Sequence, residues 1–248
     1  MDGIAPTHRR RGIMTTYHRT FADAPPTNLE DLRLAALEGE DAVAARARIY
    51  ELYLPPSTAF LEVLLRSRDD AEQLAADFFD AKVVTGLLPR AFKPGQIRFR
   101  GYLISALRNR FLDELRRRAR EAKGLARYQA SGAELGSDED FVAAGRAFDQ
   151  ARASLLINMA LARAGARSPA GRGVSTLTVF LSRTLSPGDA PTPWNELETR
   201  LGFSEKTLRK MCKQGEELFR AALHDILFER LGSENAVREE IATLRELI

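Results

Sequence analysis

TPWNELETRLGFSEKTLRKMCKQGEELFRAALHD, residues 192–225, reads as two helices joined by a tight turn. Trp194, Leu197 and Leu201 lie three and four residues apart, one face of a short helix. Thr192 is a candidate cap for it, and Pro193 suits a first helical position. Gly202 then permits the left-handed residue that ends many helices. Phe203 is a candidate buried anchor, and Ser204 is a preferred N-cap for the helix that follows. That helix gathers Leu208, Met211, Cys212, Leu218 and Phe219 on one stripe. Lys206, Arg209, Lys210 and Lys213 fall on the opposite stripe, at offsets of 0, 3, 4 and 7, with Thr207 beside them. A cationic row on the second helix of such a pair is what a DNA major groove accommodates. Glu205, at the same end, is placed to orient a lysine or bias base choice. A plain helical hairpin with a solvated charged face is the alternative; Gly202, Phe203 and Ser204 in register favour the helix-turn-helix. Gly215 is expected to weaken the helix by about 1 kcal/mol and to mark a bend.

A second stretch, FRGYLISALRNRFLDELRRRARE (99–121), raises a different question. Phe99, Leu103, Leu107, Phe111 and Leu115 repeat every four residues and form a buried stripe. Asn109, Asp113, Arg116 and Arg120 occupy another face, with Tyr102 close to it. The helix dipole rewards cations at a C-terminus by about 0.3–1 kcal/mol each, enough to explain one or two. Arg116, Arg117, Arg118 and Arg120 repel one another, so a polyanion partner is the simpler reading. An aromatic, an amide and arginines together suit unstacked bases: the ring stacks, the amide reads an edge, and the arginines hold phosphates.

Composition agrees with a helical, globular chain. Of 248 residues, 44% are apolar and 29% charged, so a core can form around a charged surface. β-branched residues are sparse against Ala, Leu, Arg and Glu, which favours helix. No apolar run approaches the roughly 18 residues of a membrane span. The opening MDGIAPTHRRRGIMTTYHRT lacks the apolar segment of a signal peptide, so a cytoplasmic protein without membrane insertion is expected. The single cysteine, Cys212, excludes an internal disulfide and a thiolate metal site, and reads as a small core residue. His8, His18 and His224 stand beside no plausible catalytic carboxylate cluster, and glycine-rich phosphate loops are absent. An enzyme, a metal and a cofactor are therefore not expected.

Charge is segregated along the chain. Arg98 to Lys123 holds nine basic and three acidic residues, while Asp225 to Ile248 holds six acidic and three basic. The net charge of +3 hides this division. Residues 1–28 read as a disordered basic arm with Arg9 to Arg11 contiguous. Helical spacing begins with Leu29, Leu32, Leu34 and Leu37 and continues to Pro55 and Pro56, which should break it. STAFLEVLLRS reads as a further helix, then Asp69 as the N-cap of the next, with Glu72 three residues on. The fold class is all-α: a helical domain over 29–123, a flexible acidic linker over 124–140, and a second helical domain over 141–248 ending in an acidic helix.

These helix groups, in this order, resemble a sigma-70 superfamily factor of the extracytoplasmic function class. FRGYLISALRNRFLDELRRRAR resembles that family's promoter-melting segment, DDAEQLAADFF (69–79) the helix that docks on the clamp helices of RNA polymerase, and WNELETRLGFSEKTLRK the helix-turn-helix that binds the minus-35 element. The similarity covers about residues 42–123 and 141–248, and rests on the order of the segments. It implies a transcription initiation factor whose partners are core RNA polymerase, through clamp helices and flap, and promoter DNA, with room for an anti-sigma or other regulatory protein. Phe92, Tyr102, Asn109, Arg116 and Arg117 would meet the minus-10 element. Lys206, Thr207, Arg209, Lys210 and Lys213 would meet the minus-35 element. Gln73, Ala76, Asp77 and Phe78 would dock on the polymerase. In such a factor the acidic Asp138, Glu139 and Asp140 of the linker would either mimic nucleic acid inside the polymerase or simply be a solvated connection. Two departures stand out: Gln73 and Ala76 replace the usual Asp and Gln, and KQGEE (213–217) replaces the usual basic run. They leave room for a rival, a stand-alone helix-turn-helix regulator that needs no polymerase.

Overall fold

A computed structural model describes residues 29–93, 99–121, 137–168, 170–171, 174–184 and 190–247. The expected basic arm, 1–28, lies outside the described residues, as does 124–136 of the expected linker. The regular secondary structure among the described residues is helical apart from one two-residue antiparallel pair, and the helices form two clusters. The first unit comprises Met1–Ala153 with Arg238–Ile248, and the second Ser154–Val237.

In the first unit, α1 (Leu29–Ala35) leads to α2 (Glu40–Leu65) and α3 (Arg68–Phe79). A π-helix (Asp80–Val84) and a short α4 (Leu87–Ala91) precede α5 (Phe99–Glu121). The expected break at Pro55 and Pro56 does not occur, because α2 runs through both. Each proline removes an intrahelical hydrogen bond, worth about 3 kcal/mol in an open helix. Here Ile49 and Tyr53 on one side of the pair, and Phe60 and Leu61 on the other, are buried in one core, and tertiary packing outweighs the loss. The cap of α3 also differs from expectation. Ser67, not Asp69, is the N-cap, its Oγ accepting the Asp70 N–H at 3.4 Å. Asp69 and Asp70 sit in the first turn, where the helix dipole favours them.

α6 (Asp138–Arg167) begins where the acidic linker was expected to end. Asp138, Glu139 and Asp140 form its first turn rather than a free strand. Ser137 Oγ accepts the Asp140 N–H at 3.1 Å while the Asp140 carboxylate accepts the Ser137 N–H at 2.9 Å, a reciprocal cap. Those bonds to Ser137 hold the Asp140 carboxyl below its ordinary range. Phe141, Ala144 and Phe148 then join the first core, so that unit extends past the expected boundary at 141 to Ala153. Phe141 meets Phe111 edge-on, ring centroids 6.1 Å apart, and carries the Arg108 guanidinium 4.1 Å above its ring. Arg100, itself buried, forks onto Asp149. Arg152 donates to Glu240 at 2.7 Å, from α6 to the C-terminal α10 (Glu234–Leu247).

The second unit holds the end of α6, strands β1 (Ala170–Gly171) and β2 (Val174–Ser175), and α7 (Thr176–Thr184). It continues with α8 (Trp194–Leu201) and α9 (Glu205–Leu231). β1 and β2 pair antiparallel with Ala170 opposite Ser175. α7 sits between two small cores. Leu177 joins Ala164 and Ala222, and Val179 joins Leu197 and Leu208. Arg163 and Arg167 of α6 form ion pairs with Glu229 and Asp225 of α9. The expected bend at Gly215 is instead a close helix crossing: a Cβ there would lie 2.8 Å from Phe180 Cβ, and closer still to the Thr176 carbonyl oxygen.

Candidate nucleic-acid interface

The α8–turn–α9 segment has the expected two-helix form. Gly202 ends α8 at φ 72°, its N–H donating to the Glu198 carbonyl at 2.9 Å. Leu208 is fully buried, and Phe203, Met211 and Cys212 are half-buried around it. Burial pushes the Cys212 thiol up, away from the reactive thiolate. Ser204 occupies the N-cap position of α9, yet its side chain makes no capping bond. Its hydroxyl meets Thr207 Oγ1 at 3.0 Å, and the Glu198 carboxylate accepts the Glu205 N–H instead. A carboxylate seven residues upstream is no part of the usual cap pattern, so only the folded turn reveals it. Thr192 likewise does not cap α8. It is buried and latches onto α7, its hydroxyl donating to the Ser182 carbonyl at 2.9 Å.

Lys206, Thr207, Arg209, Lys210 and Lys213 are all exposed on α9, opposite Leu208 and Gly215. At about 100° per residue the four cations span roughly 100° of the helix surface. Lys206 and Lys210 make no ion pair among the described residues, and Lys213 stands 4.0 Å from Glu217. Arg209 is held in place: Glu205 Oε1 accepts its Nε at 2.7 Å, and its guanidinium lies 5.0 Å from the Trp194 ring centroid. Arg183 of α7 lies 4.6 Å from the same ring. Trp194 therefore carries two guanidinium groups, a cation–π arrangement that apolar periodicity did not signal.

The end of α5 is more self-contained than its sequence implies. Leu115 is only half-buried, because a four-residue step drifts about 40° per repeat around the helix. Glu114 is buried in its place, at 3% exposure. Arg117 donates to it at 2.6 and 2.9 Å and Arg118 at 2.8 Å. Arg118 also reaches Asp70 on α3 at 2.9 Å, Arg117 reaches Glu121 at 2.7 Å, and Arg116 pairs with Asp113 at 2.8 Å. Arg120 Nε donates to the Arg116 carbonyl at 3.2 Å. Two of the four arginines, Arg117 and Arg118, thus have an internal cause, a buried carboxylate that needs neutralising. Exposed pairs such as Arg116–Asp113 are worth about 0–1 kcal/mol and open easily toward a phosphate. Arg117 and Arg118 are tied more firmly, since releasing them strands Glu114.

Hydrogen bonds from Arg117, and then from Arg118, outweigh the burial of Glu114 and hold its carboxyl at about 2, from an ordinary 4.5. A depressed carboxyl stabilises the fold above its unfolded pKa, and that contribution is lost as pH falls toward the folded value. Wild type should therefore lose about 2–3 kcal/mol relative to Glu114→Gln between pH 5 and pH 2. Urea titrations of both proteins at several pH values check this; parallel curves would refute it.

Asn109 is exposed on α5, and Tyr102 is half-buried, its ring leaning on Phe92 and Phe99 at centroid distances of 5.7 and 6.4 Å. Phe92 does not fit its expected role at a base. It is 7% exposed and packs edge-on to Phe99 at 5.4 Å, so its ring is already covered. On α3 the expected docking residues divide. Gln73 and Asp77 are exposed and bonded to each other, Nε2 to Oδ1 at 2.9 Å. Ala76 is half-buried, and Phe78 is in the core against Phe79, which removes it from any docking face.

No group of three or more His, Cys, Asp or Glu side chains among the described residues could hold a metal ion. No helix among them is long and apolar enough to cross a membrane. Fold and surface define a helical protein of two units, one presenting an exposed cationic row on α9. No family model, no curated protein and no solved structure matches the chain.

Proposed function

We propose that the chain is a cytoplasmic transcription initiation factor that brings core RNA polymerase to promoters, acting by binding rather than catalysis. One observation carries the reading: the exposed cationic row of α9, opposite buried Leu208 and reached through the Gly202 turn. In this reading α9 enters the minus-35 major groove, Lys206, Lys210 and Lys213 meet phosphates, and Arg209 reads a base edge. Asn109 and Arg116 of α5 meet the melted minus-10 strand beside Tyr102, which Phe92 supports from beneath. Gln73 and Asp77 provide the polar contact to polymerase.

Replacing Lys206, Lys210 and Lys213 together with alanine should lower the slope of log K against log salt by about 2–3, one phosphate per cation. Arg209→Ala should weaken preference at one base position by about 1–3 kcal/mol. Fluorescence anisotropy across a salt series, with duplexes varied one base at a time, checks both; unchanged slopes would remove α9 from the interface.

A stand-alone DNA-binding regulator is the second reading. Phe78 in the core and Arg117 and Arg118 committed to Glu114 favour it, since each subtracts from a polymerase- or strand-binding surface. Co-purification with core polymerase followed by run-off transcription separates the two.

A further inference from the structure

Arg209 is the one cation of the α9 row that, among the described residues, is held by both a carboxylate and a ring. Glu205 Oε1 accepts from its Nε at 2.7 Å and from its Nη2 at 2.5 Å, so the carboxylate occupies one edge of the guanidinium. That leaves the Nη1 end of the fork for an incoming acceptor. The Arg209 side chain is 59% exposed and that of Glu205 45%. An ion pair this open, taken alone, gives way readily to water and salt. The Trp194 ring, 5.0 Å away, supplies the second hold.

Trp194 is itself fixed from α7. Arg183 lies 4.6 Å from the same ring and donates to the Thr192 carbonyl. The Thr192 N–H donates back to the Arg183 carbonyl at 3.2 Å, and the Thr192 hydroxyl to the Ser182 carbonyl at 2.9 Å. These bonds pin the entry to α8 on the end of α7, two residues before the tryptophan. The half-buried indole also packs against the core of Val179, Leu197 and Leu208. Apolar packing accounts for an aromatic at this position, but not for two guanidinium groups converging on it. Cations are drawn to a π face, and to that of tryptophan most strongly. The planar guanidinium adds stacking that an ammonium lacks.

We propose that Trp194 is a positioning residue for sequence recognition: its indole, clamped to α7 through Arg183 and Thr192, orients the Arg209 guanidinium before DNA arrives, so that Arg209 discriminates between bases. This rests on the reading of α9 as the helix that enters the major groove. A side chain already ordered gives up less freedom on binding. A fork held in one orientation also cannot turn to suit a base edge of the wrong pattern. Lys206, Lys210 and Lys213 have no ring partner among the described residues, and point charges on flexible stems suit phosphates, which carry no sequence information. The row thereby divides into three cations for affinity and one, with Trp194 behind it, for specificity.

Duplexes enriched from a random pool by the full-length protein, then varied one base pair at a time, supply the probe. Arg209→Ala marks the pair that Arg209 reads. Trp194→Leu should cut discrimination at that same pair about three- to tenfold, while preferences elsewhere and the slope of log K against log salt stay unchanged. In an Arg209→Ala background it should add nothing. Trp194→Phe, which keeps a π face, should retain most of the discrimination. Trp194→Leu without effect at the Arg209 pair, or with the same loss at every pair, overturns the proposal and leaves the base-reading role of Arg209 standing. Arg209→Ala without effect at any pair, or no enrichment of any duplex, overturns that role and the proposal with it. Should Trp194→Leu not fold, NMR of the DNA-free wild-type protein decides. A restricted Arg209 Nε–H beside ring-current-shifted Arg209 protons supports the stack; an Nε–H as mobile as that of exposed Arg238 overturns it.

Discussion

Arg152→Ala will destabilise the first unit by about 3–5 kcal/mol. Arg152 and Glu240 form an ion pair with almost no water: side-chain exposures are 12% and 0%, and the Nη1–Oε1 distance is 2.7 Å. Burial works against the Arg152 charge, but Glu240, together with Tyr53 and Asp149, outweighs it, so the guanidinium is held above its ordinary range. Glu240 has little reserve, because its second oxygen is buried without a hydrogen-bond partner. Removing Arg152 leaves a buried carboxylate with no counter-charge, which must protonate, drag in water or pull α10 out of its place. The pair itself contributes far less than its rupture costs, since two desolvation penalties offset most of its attraction. Arg152→Leu combined with Glu240→Leu should therefore recover most of the loss. Urea unfolding followed by circular dichroism decides the matter; a single substitution within 1 kcal/mol of wild type would show that water already reaches Glu240.

Gly215→Ala should destabilise the second unit by about 1–3 kcal/mol, although the same change stabilises an open helix by about 1 kcal/mol. Gly215 is buried where α9 crosses α7. The added methyl would meet the Thr176 carbonyl oxygen and lie 2.9 Å from its carbon, backbone atoms that cannot swing aside. Gly165 in α6 is the internal control. A Cβ there meets only Leu177 Cδ2 at 3.7 Å, an ordinary contact, so Gly165→Ala should stabilise by about 0.5–1 kcal/mol. Thermal unfolding followed by the fluorescence of Trp194 compares the two; shifts of the same sign would show that α7 and α9 give way.

Much of this architecture is legible from periodicity and punctuation. Apolar spacing locates α5, α8 and α9, and Gly202 marks their turn where a left-handed residue was required. The exposed row of α9 follows from the same spacing, because a helix with one buried stripe must turn the opposite one outward. Local rules failed where distant groups intervened. Pro55 and Pro56 lie inside α2 because both flanks are buried, and no window of residues contains that fact. Ser204 yields the capping bond to Glu198 across the turn, whereas Ser67 in place of Asp69 is a local cap of the usual kind that lies two residues earlier. Phe92 and Phe78 read as functional aromatics, but burial and exposure of a lone ring look identical in sequence.

The order of residues alone settles that this chain is helical, where α5, α8 and α9 run, and which side of α9 carries its cations, since each depends on contacts within a few residues. Which charges are spent internally belongs to the tertiary structure. Glu114 with Arg117 and Arg118, Arg152 with Glu240, and Arg46 with three carbonyls are assembled by packing. An arginine near a helix end looks free until the fold brings a buried acceptor to it, because desolvation strengthens such a pairing only once the surrounding core has closed.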